Sequence, residues 1–102
     1  MYTDPEFLML QKMMLDRLPE RQQQIEQAWQ NWQNQPNQAT THDQLASYIH
    51  QLAGAAGSYQ LDSLYQAAKK CEDLLKNSSA KESVHLAYAA LIAELEALRS
   101  TP

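Results

Sequence analysis

The sequence predicts an all-α protein, an antiparallel up-down four-helix bundle with an additional N-terminal helix. Apolar residues recur at helical spacing in successive segments, polar links separate these segments, and no stretch alternates as a half-buried strand does. Amphipathic helices joined by short links bury their apolar stripes best when neighbouring helices pack antiparallel. A chain of 102 residues provides one core, so we expect a single bundle domain over residues 1–102.

The composition narrows the class of protein. Hydrophobic residues make up 44% of the chain and charged residues 20%, as in ordinary globular domains. The net charge is −4 and the largest basic cluster is Lys69-Lys70, which disfavours a nucleic acid partner. The single Cys71 excludes an internal disulfide and suits a reducing compartment. Because the sequence has neither a long apolar run nor a signal peptide, we expect a cytoplasmic protein without membrane association.

The N-terminal third predicts two helices that meet near a proline. The segment Thr3-Asp4-Pro5-Glu6 has the form of a helix start, with Thr3 or Asp4 as the cap. Apolar residues on several sides of the first helix predict packing across or along the end of the bundle: Phe7, Leu8, Met9, Leu10, Met13, Met14 and Leu15. We expect its methionines to fill the core rather than to form a partner groove. Pro19 predicts a kink or a restart, and the next helix runs to about Gln35.

The remaining chain predicts three more helices. Thr41-His42-Asp43-Gln44 has the Thr-x-x-Gln form of a capping box and predicts a helix that runs to about Ser58. After a tight link, Asp62 or Ser63 is the predicted cap of the following helix. Ser79-Ala80-Lys81-Glu82 is a further capping box and predicts the start of the last helix.

The third predicted helix carries the sharpest functional signal. Its apolar stripe, which must face a core, consists of Leu45, Ile49, Leu52 and Ala56. His50 lies one step round from this stripe, and its neighbours on the helix surface are all small: Ala46, Ala53, Gly54 and Gly57. Each glycine inside a helix costs roughly 1 kcal/mol relative to alanine, and the chain contains only these two. The spacing leaves two explanations open: a face cleared for a partner around a reactive imidazole, or close helix packing.

Other reaction chemistry finds little support in the sequence. The three histidines, His42, His50 and His85, include no i, i+4 pair, so we expect no metal site. Cys71 falls on an apolar helical face, which predicts a buried and inert thiol. The sequence contains no glycine-rich phosphate loop and no Gly-x-Ser-x-Gly motif. A metal-dependent or hydrolytic bundle is therefore a disfavoured alternative.

The run from His50 to Ser58, His-Gln-Leu-Ala-Gly-Ala-Ala-Gly-Ser, resembles the histidine-containing phosphotransfer (HPt) domain of two-component phosphorelays. Leu61, Leu64 and the segment Cys71-Glu72-x-Leu74 extend the resemblance. It implies a phosphocarrier without autokinase activity, in which His50 accepts a phosphoryl group from the aspartyl phosphate of a receiver domain and passes it to a receiver.

The resemblance also implies the surroundings of the reaction. The receiver, part of a response regulator or a hybrid kinase, would dock on residues around His50: Ala46, Gln51, Ala53, Gly54, Gly57 and Ser58. It would bring the Mg²⁺, so this chain would need no cofactor of its own, and we expect it to be a monomer. The segment Leu18-Pro19-Glu20-Arg21 is similar to HPt domains that precede receiver and diguanylate cyclase modules, which implies that the chain is part of a longer signalling protein.

Two positions depart from the family pattern. Ala53 stands where the family usually has lysine, and Gln60 stands where a glycine often closes the motif. Antiparallel pairing of the two helices brings Lys69 or Lys70 level with His50, and we hypothesise that one of them supplies the missing charge. The absent lysine also motivates an alternative function, an HPt-fold adaptor that docks receivers without carrying phosphate.

Overall fold

The computed structural model describes residues 4–77 and 79–100, and within these ranges all regular structure is helical. The helices are α1 (Pro5–Asp16), α2 (Leu18–Asn34), α3 (Ala39–Ser58), α4 (Asp62–Lys76) and α5 (Lys81–Arg99). Helix α3 packs against α2 and α4, and α5 packs against α4 and α2, which closes a four-helix bundle. The predicted all-α bundle with an additional N-terminal helix is therefore confirmed. None of the described helices has the length and apolar character needed to cross a membrane.

Helices α1 and α2 are nearly continuous. Asp4 caps α1 as predicted, because its carboxylate accepts a hydrogen bond from the backbone N–H of Glu6 at 3.0 Å. Thr3, the other predicted cap, lies outside the described residues. Pro19 is in the first turn of α2, where no intrahelical donor is needed, and only Arg17 separates the two helices. Pro19 thus restarts the helix after a bend.

Helix α1 contacts the end of the bundle with one side only. Met14 is buried, and Gln11 Nε2 donates to the backbone oxygen of Tyr59 at the α3–α4 link, at 2.8 Å. Met9 and Met13 are 63% and 53% exposed. The expectation that the methionines fill the core is therefore wrong for these two, because no described helix covers the outer side of α1.

The predicted capping box of α3 is wrong. The helix begins at Ala39, two residues before Thr41, and has no side-chain cap. Thr41 Oγ1 instead donates to the backbone oxygens of Gln35 and Gln38, at 2.8 and 2.9 Å. This bond ties the first turn of α3 to the end of α2.

The predicted caps of α4 and α5 are also wrong, although both helices begin within about one residue of the predicted position. Their cap positions are occupied by Leu61 and Ala80, and neither makes a side-chain capping bond. A capping bond contributes only about 1 kcal/mol. The burial of the apolar stripes and the geometry of the links therefore determine where α4 and α5 begin.

The α3–α4 link is closed by backbone hydrogen bonds. The N–H of Leu61 donates to the oxygen of Ala56 at 2.9 Å, and the N–H of Gln60 to that of Gly57 at 3.4 Å. This is the Schellman pattern of a helix C-terminus, and it requires a left-handed residue. Gln60 takes that role with φ of 60°. The sequence departure at this position therefore places a strained residue where glycine would be relaxed.

The apolar stripes of the helices form one core. The largest residues that are fully buried come from α2 to α5: Leu18, Ile25, Leu45, Ile49, Leu52, Leu64, Leu91 and Leu95. The predicted stripe of α3 is completely buried, which fixes the rotation of this helix about its axis. Cys71 is also buried, as predicted, and burial raises the pKa of its thiol to about 12.

We predict that Gln60→Gly increases the free energy of unfolding by about 0.5–1 kcal/mol, because glycine removes the left-handed strain at a cost in chain entropy. Urea denaturation measures the difference. Ser58→Gly, within the last turn of α3, is the control and should decrease stability. A destabilised Gln60→Gly variant would contradict the strained link.

Candidate functional site

His50 lies at the boundary between the core and the surface of α3. Its neighbours in the stripe, Ile49 and Leu52, are fully buried, so the rotation of α3 turns the imidazole toward α4. The side chain is nevertheless 68% exposed. One edge of the ring can therefore contact α4 while the other remains accessible to a partner.

The ring of His50 contacts a buried carboxylate. Its Nδ1 lies 2.6 Å from Oε2 of Glu72 on α4, and the Glu72 side chain is only 1% exposed. An ionised carboxylate can only accept, so Nδ1 carries a proton and donates to Oε2. In the neutral ring this tautomer leaves the lone pair on Nε2.

Two lysines accompany the buried carboxylate. Lys76 Nζ lies 2.9 Å from Oε2 of Glu72, and Lys69 Nζ lies 3.8 Å from Oε1. Burial raises the pKa of Glu72, but hydrogen bonds from Lys76 and His50, together with their charges, outweigh burial and hold it below the ordinary value. The same hydrogen bond to Glu72 raises the pKa of Lys76. Glu72 is therefore an anion at neutral pH, and Lys76 is a cation.

One oxygen of this carboxylate lacks a hydrogen bond. Oε1 of Glu72 is buried and accepts no hydrogen bond, because Lys69 Nζ is too far away at 3.8 Å. Lys69 also lies 3.6 Å from Oδ1 of Asp73. Lys69 is thus shared between two carboxylates at ion-pair distance.

Lys69 and Lys70, the two lysines hypothesised to supply the missing charge, lie on different sides of α4. Lys69, Glu72 and Lys76 follow each other at i, i+3 and i+7, on the face of α4 that meets His50. Lys70 lies one step round the helix, where it lines an open groove between α4 and α5. Sequence reasoning did not single out Glu72 and Lys76 as site residues, although their spacing from Lys69 places all three on one helical face.

The predicted docking residues differ in their accessibility. Ala46 is half-buried, and four residues are exposed: Gln51, Gly54, Gly57 and Ser58. Ala53 is only 4% exposed, so it offers little surface. The rotation of α3 that buries Ile49 and Leu52 turns Ala53 inward as well, and its part in docking stays a prediction.

The two glycines have different surroundings. A Cβ at Gly57 would lie 3.2 Å from the ring of Tyr65 on α4, so this glycine allows close packing of the two helices. A Cβ at Gly54 would have nothing within 4 Å. Packing within the chain therefore explains Gly57, whereas Gly54 leaves open space beside His50.

The other two histidines have contacts away from His50. His42 Nε2 lies 3.0 Å from the backbone oxygen of Leu75, and the ring of His85 packs edge-on against Trp29 with a centroid distance of 4.9 Å. In residues 4–77 and 79–100, no group of three or more His, Cys, Asp or Glu side chains is arranged to hold a metal ion.

We predict that Glu72→Gln is less stable than the wild type at neutral pH and that this difference shrinks in acid. The lowered pKa of Glu72 means that its ionisation stabilises the fold above the ordinary value of 4.5, and that this stability is lost as the pH falls through the lower folded value. Urea denaturation at neutral pH and at pH values below 4.5 measures the difference in the free energy of unfolding between the two proteins. The control is Glu82→Gln on the exposed start of α5, which should keep the wild-type pH profile. Parallel profiles for wild type and Glu72→Gln would contradict the prediction.

Comparison with known proteins gives one family. A family model described as the Hpt domain matches residues 9–101, nearly the whole chain. A search of curated proteins and a search of solved structures returned no match. Hpt domains are phosphocarriers rather than kinases, act in histidine phosphotransfer in two-component signalling, and interact with receiver domains. The match includes the second half of α1, the whole of α2 to α5 and the exposed histidine, and the chain therefore belongs to the HPt domain family.

Proposed function

We propose that this chain is a phosphorelay carrier that accepts a phosphoryl group on His50 from the aspartyl phosphate of a receiver domain and passes it to a receiver. The observation that carries the proposal is the 2.6 Å contact between Nδ1 of His50 and the buried carboxylate of Glu72, on a ring that is otherwise exposed. This contact selects the tautomer whose Nε2 is a nucleophile and holds the ring in one orientation.

The proposed transfer needs no additional acid or base from this chain, because every bond and proton is accounted for. The lone pair of His50 Nε2 forms the new N–P bond, the P–O bond to the receiver aspartate breaks, and the aspartate leaves as a carboxylate with the electron pair. Nδ1 keeps its proton, so the phosphorylated ring carries a positive charge. The Glu72 anion, 2.6 Å from Nδ1, stabilises that charge. Return of the phosphoryl group to a receiver reverses these steps.

Phosphoryl transfer to His50 requires few catalytic groups on this chain. Such reactions depend mainly on positioning and on electrostatic stabilisation of the phosphoryl oxygens. In the proposed complex the receiver supplies the Mg²⁺ and the aspartyl phosphate. This chain supplies an oriented nucleophile on a rigid helix.

The open space at Gly54 supports docking of a receiver beside His50. A helical glycine costs roughly 1 kcal/mol, and no contact inside the described chain requires one at this position. A partner that brings its phosphoryl group to Nε2 needs a flat surface next to the ring. Exposed Gln51 and Ser58 extend that surface with polar groups.

We predict that incubation with a phosphorylated receiver labels the wild type and not His50→Gln. The label should be acid-labile and base-stable, because phosphorus is bound to nitrogen. Transfer from a radioactive receiver followed by gel analysis measures it. His85→Gln is the matched control and should be labelled as the wild type is. Absence of label with every receiver tested would support the adaptor alternative instead.

We predict that Gly54→Leu folds normally but slows transfer from a receiver by at least about tenfold, because the new side chain occupies the space next to His50. Labelling by phosphoramidate, a small donor that needs no docking surface, should change little. The control is Ala89→Leu on the exposed face of α5. Equal receiver rates for Gly54→Leu and wild type would place the docking surface elsewhere.

A further inference from the structure

The cation that the family pattern places three residues after the histidine is missing at Ala53. We propose that Lys76 on α4 replaces it, by moving its ammonium group from Glu72 to the phosphoryl oxygens when His50 is phosphorylated. This inference rests on the proposed function and adds to it a second residue that contacts the transferred group.

Lys76 lies within reach of the phosphoryl group. Its Nζ and Nδ1 of His50 contact the same oxygen of Glu72, at 2.9 and 2.6 Å, so the two nitrogens are no farther apart than the sum of these distances. The Lys76 side chain is 57% exposed and has a flexible stem. The ammonium group can therefore leave Glu72 and approach the Nε2 side of the ring without disturbing the core.

The change in charge on phosphorylation favours this movement. In the neutral tautomer that can act as the nucleophile, the cation closest to the Glu72 anion is Lys76, at 2.9 Å. After transfer the ring is positive and lies 2.6 Å from Glu72, while the phosphoryl oxygens carry up to two negative charges. Glu72 is then paired by the ring, and the phosphoryl group becomes the stronger attraction for Lys76.

Lys69 provides a replacement donor for Glu72. Oε1 of the buried carboxylate has no hydrogen bond, and Lys69 Nζ is 3.8 Å away. A small rotation of the partly exposed Lys69 side chain brings its ammonium group into direct contact. The buried anion therefore need not lose a cation when Lys76 moves to the phosphoryl group.

The contacts favour Lys76 over the two lysines of the sequence hypothesis. Lys69 is held by Asp73 at 3.6 Å and faces Oε1, whereas His50 binds Oε2. Lys70 lies in the groove toward α5. Of the lysines on α4, Lys76 is the one that shares an acceptor atom with His50.

The test uses the complete chain, phosphorylated on His50 with phosphoramidate, and phosphorus NMR. A nearby cation favours the dianionic phosphoryl group, so Lys76→Gln should raise the pKa of the phosphoryl group by up to about one unit, a tenfold change in proton affinity. It should also slow phosphorylation by about three- to tenfold. Lys76→Arg should retain most of both effects, and Lys70→Gln is the matched control that should match the wild type. Wild-type values for Lys76→Gln would overturn the proposal.

A second comparison separates direct contact from an effect transmitted through Glu72. Lys76→Gln is measured again in a Glu72→Gln background, where the carboxylate is absent. A persistent change in the phosphoryl pKa supports contact between Lys76 and the phosphoryl group, whereas its disappearance would show that Lys76 acts only by holding Glu72. Transfer from a receiver is measured in a separate assay. If this transfer fails while phosphoramidate still labels His50, the proposed carrier function is refuted and the role of Lys76 is not.

Discussion

The contact between His50 and the buried carboxylate of Glu72 is the interaction on which the site depends. A buried carboxylate without partners would cost several kcal/mol, so Glu72 is tolerated only where His50 and a lysine reach it. The same requirement sets the ring orientation, the tautomer and the position of Nε2. One buried anion between α3 and α4 thus links the stability of the helix pair to the chemistry of the histidine.

The helix pair that holds this contact is fixed at its closed end. The Schellman bonds around Gln60 set the direction in which α4 leaves α3, and Gly57 lets the ring of Tyr65 lie against α3 at close range. Leu52 and Leu64, both fully buried, hold the faces of the two helices together. Small changes at the link would therefore move Glu72 relative to His50 although neither residue lies in the link.

Periodicity is sufficient to predict which face of α3 is buried, because burial of its apolar stripe involves far more free energy than any local signal. Capping motifs do not predict the caps of α3 to α5, where side-chain caps compete with link geometry, as Thr41 shows. Periodicity also misses Glu72, for a geometric reason. Pairing of backbone positions places Lys69 and Lys70 opposite His50, but side chains lean toward the N-terminus of their own helix. The His50 ring therefore leans away from the link and Glu72 leans toward it, so a residue farther along α4 makes the contact.

The burial of Ala53 distinguishes a lysine at this position from a lysine on α4. A lysine at position 53 would start from a buried position on the same helix as His50. Lys76 on α4 is instead coupled to His50, because both contact the same oxygen of Glu72. Coupled groups respond together: a positive ring strengthens the bond between His50 and Glu72 and weakens the hold of Glu72 on Lys76. In this arrangement the charge state of His50 itself would control when the cation becomes available to the phosphoryl group.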